Sequence, residues 1–140
     1  MAAETGWEHF EAAADVGVRA WAPDRTGAFA QSARGVFALI VEPSTVADIE
    51  RREVRAQGAT PEALLANWIG EGLYVQEIEG FAVHTVEVTV CDGALVHGFL
   101  RGEPLDQTRH RVATVKTPTL REVSVLEAEG RVEATLVVAV

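Results

Sequence analysis

The side chains best placed by type and position to do chemistry in this sequence are His9, Asp15, Glu103, Asp106, His110 and Lys116. Lys116 stands out first, because it is the only lysine and every other basic residue is arginine. The two are interchangeable on a solvated face but not at a specific contact, where a compact ammonium differs from a planar fork. Lys116 is therefore read as a functional amine, against the alternative of a solvated side chain between Thr114 and Pro118. Asp15, just before Val16-Gly17, is a functional carboxylate or a turn residue bonding its own backbone. Glu103, Asp106 and His110 share an irregular polar segment from Gly102 to His110, and loops carry function disproportionately. Acid–base hydrolysis by His9, Asp15 and His110 would require all three within hydrogen-bond reach of one substrate.

Other polar residues read as structural. His84 shares the Val86/Val88 face and is expected to be a hydrogen-bonded core histidine. Glu71, opposite the apolar stripe of its helix, reads as surface charge. No phosphate-binding glycine loop, zinc-ligand spacing or Ser/Cys nucleophile motif occurs, which lowers the expectation of an enzyme.

The elements that would position these residues follow from periodicity. Trp7 to Glu11 and Val16 to Ala22 read as two strands. Pro23-Asp24 stops the second and caps an amphipathic helix over roughly 25–41, carrying Phe29, Ala33, Val36, Phe37 and Ile40. Pro43 ends it. Ile49 to Gln57, charged on both faces, reads as an edge strand, where charge discourages pairing with a second molecule. Thr60-Pro61-Glu62 starts a helix with a hydroxyl cap, proline at the first position and an acid in the first turn. Its stripe is Leu64, Leu65, Trp68, Ile69 and Leu73, with Gly70 and Gly72 implying close packing and Gly80 closing it. Beyond it come a hairpin through Asp92-Gly93, a strand near Val112 to Thr117, and a hairpin through Glu129-Gly130 joining Val123–Leu126 to Val132–Val138. The order ββα, βα, then strands implies an α+β fold, two helices packed on largely antiparallel sheets, as one domain over 1–140.

Composition sets the outer bounds. With 48% hydrophobic residues the chain can bury a core, and no apolar run approaches a membrane span or a secretory signal. Cys91 is alone, so no disulfide forms within the chain and a reducing cytoplasm is the simplest home. The net charge of −9 argues against tight direct binding to nucleic acid, since phosphate contacts need clustered cations. It suits solubility, cations or a basic protein partner.

Three segments together resemble the archease family: Trp7-Glu8-His9-Phe10-Glu11 followed by Ala14-Asp15-Val16-Gly17-Val18; Leu64-Leu65 through Trp68, Glu71 and Leu73 to Glu77-Ile78-Glu79-Gly80; and Gly102-Glu103-Pro104-Leu105-Asp106, His110, then Val115-Lys116. The matches keep the family's order and spacing over nearly the whole chain. The resemblance implies two packed sheets and two helices. It also implies an accessory role: promoting guanylylation and turnover of an RtcB-type RNA ligase in transfer-RNA splicing and RNA repair. It further implies a divalent-metal site, typically calcium, with Asp15 as a ligand and Lys116 acting beside it. Four positions depart from the family pattern: Ala139 replaces a C-terminal Asp, Ala12-Ala13-Ala14 a His, Thr60 an acid, and Arg121 another His. A hard cation wants six to eight oxygens. The departures therefore leave open a metal-independent interaction module on the same fold.

Overall fold

The computed structural model describes residues 4–112 and 118–139, so Lys116 lies outside the described residues. Seven strands and two α-helices follow in the order β1 (Gly6–Ala12), β2 (Asp15–Ala22), α1 (Arg25–Phe37), β3 (Glu50–Gln57), α2 (Pro61–Ile78), β4 (Phe81–Cys91), β5 (Leu95–Pro104), β6 (Thr119–Ala128) and β7 (Arg131–Ala139). The strands form two antiparallel sheets, ordered β1-β2-β7-β6 and β3-β5-β4. The fold is α+β, as the order of elements implied.

Local chemistry explains the helix starts. Asp24 caps α1 by accepting from the Gly27 amide at 2.8 Å, and Thr60 caps α2 by accepting from the Ala63 amide at 3.1 Å. Each helix packs against strands of both sheets. A helix covered on two sides needs apolar residues beyond one stripe, and α1 accordingly buries Ala28, Phe29, Ser32, Ala33, Val36 and Phe37. Trp68 of α2, 1% exposed, donates from its indole Nε1 to the Phe29 carbonyl at 3.2 Å and so joins the two helices. The buried hydrophobics of helices and sheets form one cluster.

The structure corrects three expectations. Helix α1 ends at Phe37 rather than near residue 41, because the chain tightens through three-residue hydrogen bonds, Leu39 to Val36 and Ile40 to Phe37. Val41 then bridges to Val112, and Pro43, which has no N–H to give, opens a short 3-10 turn over Pro43–Thr45. His84 is exposed rather than in the core. A register shift between Val83 and Thr85 breaks the two-residue alternation, so the chain buries Phe81, Ala82 and Val83 in succession and turns His84 outward. Of the two glycines in α2, only Gly72 serves close packing: an added Cβ would meet the Phe37 ring at 3.0 Å, whereas nothing lies within 4 Å of one at Gly70.

Candidate functional site

Asp15 opens β2 immediately after a two-residue hairpin turn. Ala13, the first turn residue, has φ of 56°, a left-handed conformation that a non-glycine residue adopts only at a cost of about 1–2 kcal/mol. The side chain of Asp15 is 25% exposed and pairs with Arg121 Nε on β6, at 3.4 Å. Its partner is a guanidinium rather than the turn's own amide. Across the sheet Val16 faces Val138, and Ala139 faces Thr119. Asp15, Ala139, Thr119 and Arg121 therefore gather at one end of the larger sheet.

Whether a divalent cation fits there is a question of donors. Ala139 offers a methyl group where a second carboxylate would be needed, and Asp15 is already matched by a cation. Thr60 is elsewhere. It caps α2, whose Glu62 accepts from the Val125 amide; Val125 lies opposite Ala134, and Ala134 opposite Ala20. Ala20 is five residues, roughly 17 Å, along β2 from Asp15. Among the described residues no three His, Cys, Asp or Glu side chains come together to hold a metal. The described donors do not match what a calcium ion requires.

Glu103 and His110 come together facing inward, and Asp106 joins them through its backbone amide while its carboxylate stays partly exposed. The expected loop from Gly102 begins later, since β5 continues through Pro104 with Glu103 opposite Ala82. Glu103 is 3% exposed and His110 4%. The Glu103 carboxylate accepts from the Ala47 amide at 2.7 Å, from His110 Nε2 at 2.9 Å, and from Arg109. Those donors, the Ala47 amide foremost, hold its carboxyl down to about 2. His110 Nδ1 accepts from the Asp106 amide at 2.9 Å, so the ring proton sits on Nε2 and goes to Glu103. Asp106 in turn accepts from the Thr108 hydroxyl and amide, which lowers its carboxyl too.

The cluster works as a latch. It ties the turn after β5 to the stretch before β3, reinforced by the Glu42 amide on the Arg111 carbonyl at 2.8 Å and the Val41–Val112 bridge. Both nitrogens of His110 are engaged and its side chain is enclosed, so it reaches no substrate. Because the Glu103 carboxyl is depressed, its contribution to stability is complete above the usual 4.5 and fades as pH falls toward about 2. The Ala47 amide is therefore expected to stay protected from hydrogen exchange at pH 5 and to lose protection progressively below pH 4, which exchange measured by NMR would show.

His9 sits three pairs up the hairpin from Asp15, opposite Val18. Its Nε2 bonds the Gly35 carbonyl at 2.8 Å, and its ring lies 4.9 Å from that of Trp7, fastening β1 to the end of α1. It is not brought to Asp15 or His110 by any contact among the described residues. Burial pushes the Cys91 thiol up to about 11, which leaves it a poor nucleophile. Sequence reasoning did not foresee the Arg121 partner of Asp15, nor Arg34. A signal for Arg34 was present: it is the only charged residue between Arg25 and Glu42.

The chain matches the model of the Archease protein family (MTH1598/TM1083) over residues 7–140. It is 34% identical over 136 residues to a "Protein archease" of Methanopyrus kandleri, covering 94% of this chain and 97% of that one. A "Protein archease" of Pyrococcus abyssi is 35% identical over 107 residues, covering 74% of this chain and 75% of that protein. The solution structure of Methanobacterium thermoautotrophicum protein 1598 superposes with a TM-score of 0.75 at 23% identity, covering 96% of this chain and 99% of that one; this likeness concerns the fold. Among the described residues no helix is long and apolar enough to cross a membrane.

Proposed function

This chain belongs to the archease family, and from that premise we propose that it is an accessory protein that activates an RtcB-type RNA ligase by promoting its guanylylation and turnover. The match over residues 7–140 carries the reading. The charge of −9 supports action through a basic protein surface rather than through RNA. On this reading the chain is not itself an enzyme, consistent with an enclosed His110 and a high-lying Cys91 thiol. Asp15, at the exposed end of the larger sheet, and Lys116 form the contact that acts on the ligase, and the Glu103 latch fixes where the chain departs at Val112 toward Lys116. Cytoplasmic location follows from the partner. Mixing the chain with its host's ligase, GTP and metal is expected to speed guanylate loading; no acceleration at any ratio refutes the proposal.

A second reading, a metal-independent interaction module on the same fold, is favoured by one observation, the Asp15–Arg121 pair beside Ala139. A guanidinium supplies in place the positive charge that a cation would bring. Calorimetric titration with calcium is expected to be silent. Micromolar binding that disappears in Asp15→Ala would show instead that donors sufficient for a metal assemble there.

A further inference from the structure

One arginine is set apart by its surroundings. Among the described residues seven arginines, from Arg19 to Arg131, pair with a carboxylate. Arg51, Arg55 and Arg111 make no such pair but are exposed; Arg34 makes none either and alone of the four is withdrawn from solvent. It lies half-buried in the last turn of α1. One terminal nitrogen donates to the Val86 carbonyl at 3.2 Å, while Nε is shielded from solvent and has no acceptor. An enclosed donor without a partner is costly and rare in native proteins, and it calls for an explanation.

Arg34 lines a cavity of about 210 Å³ between the end of α1, β1, the 3-10 turn and β4. Trp7, Phe37 and Pro43 form apolar walls, and His84 and Thr85 add polar groups. The walls are held in place without a ligand. His84 Nδ1 donates to the Pro43 carbonyl at 3.0 Å, and the His9 bond to Gly35 keeps the Trp7 strand against the helix. Burial lowers the Arg34 guanidinium from its ordinary value, with no neighbouring acid to offset the shift.

We propose that this cavity is a binding site for a small carboxylate with an apolar body, its carboxylate held by Arg34 and its body lying against Trp7 and Phe37. The chemistry selects that class. A planar guanidinium offers a fork that matches two carboxylate oxygens. The space is below the roughly 300–1,000 Å³ of drug-sized pockets, so the ligand is small. A single cation balances a single negative charge, and a surface of net charge −9 disfavours a dianion such as phosphate. The apolar walls recover hydrophobic contact that a bare inorganic ion would not use. This inference stands apart from the ligase reading, which does not use Arg34.

The test is an NMR titration of the labelled full chain with benzoate, with propionate and with inorganic phosphate, against sodium chloride at matched ionic strength. Benzoate is expected to shift the Arg34 Nε–H and the Trp7 indole N–H saturably, more tightly than propionate, with phosphate and chloride giving no saturation. Arg34→Met is expected to abolish saturation while the rest of the spectrum stays dispersed. Arg34→Lys, which keeps the charge but not the fork, is expected to weaken binding about tenfold or more. Absence of saturable shifts, saturation that persists in Arg34→Met, equal binding by Arg34→Lys, or phosphate binding as tightly as benzoate would each overturn the assignment.

Discussion

Glu103→Ala is expected to lower the melting temperature by roughly 10 °C, because it strands the Ala47 amide and the enclosed His110 Nε2, whereas Arg109 keeps Asp106 and solvent. The Ala47 amide, His110 Nε2 and Arg109 all converge on this carboxylate. His110 is the costliest to orphan, since its side chain is enclosed and its other nitrogen already accepts from Asp106. The damage is expected to be local at first. Protection from hydrogen exchange falls over the turn after β5 and over residues 41–47, while the sheet made by β1, β2, β7 and β6 keeps its protection. If the chain activates a ligase as proposed, that activity is expected to fall more in Glu103→Ala than global stability explains. Glu103→Gln retains an oxygen for the Ala47 amide and is expected to do less harm. Calorimetry with residue-resolved exchange checks both variants; unchanged melting in Glu103→Ala would show that the latch contributes nothing.

Trp68→Ala is expected to cost about 3–5 kcal/mol, the range for truncating a large buried aromatic. The indole is 1% exposed, bonds the Phe29 carbonyl of the other helix, and lies so close over β5 that a Cβ at Gly98 would come within 2.9 Å of it. Its loss would open a cavity where both helices and the smaller sheet meet. Against a total of about 5–15 kcal/mol for a domain of ordinary stability, that is a large share. Trp68→Phe refills much of the space but leaves the Phe29 carbonyl without its donor, and is expected to cost less than half as much. Urea denaturation measures both, and a cost under about 1 kcal/mol for Trp68→Ala would contradict the packing described.

Much of this fold is written locally. Thr60-Pro61 starts α2 as the pattern requires, Gly130 takes the positive φ of 74° that its hairpin needs, and the charged strand at Glu50–Gln57 is indeed at an edge. The features that sequence reading missed depend on distant partners. The stretch after α1 tightens and then bridges from Val41 to Val112, some seventy residues on, and no helical periodicity reports it. The His84 bulge reverses an alternation that looks regular from Val86 onward. Glu103 and His110 look like solvated loop groups until Ala47 is brought beside them, when burial becomes affordable because every polar atom finds a partner. The Asp15–Arg121 pair is of the same kind, arising from two strands separated by β7. The site's residue types were readable in the sequence, whereas their pairings required three dimensions.

A double-mutant cycle on ligase activation bears most directly on the central claim, that Asp15 and Lys116 act as one unit. Single-turnover guanylate loading would be followed with the wild-type chain, Asp15→Ala, Lys116→Ala and the double variant, each shown to be folded. Each single change is expected to cost about a hundredfold in acceleration, and the double no more than the worse single. Multiplying losses, with the double variant near ten-thousandfold, would contradict the claim and place the carboxylate and the amine in separate roles.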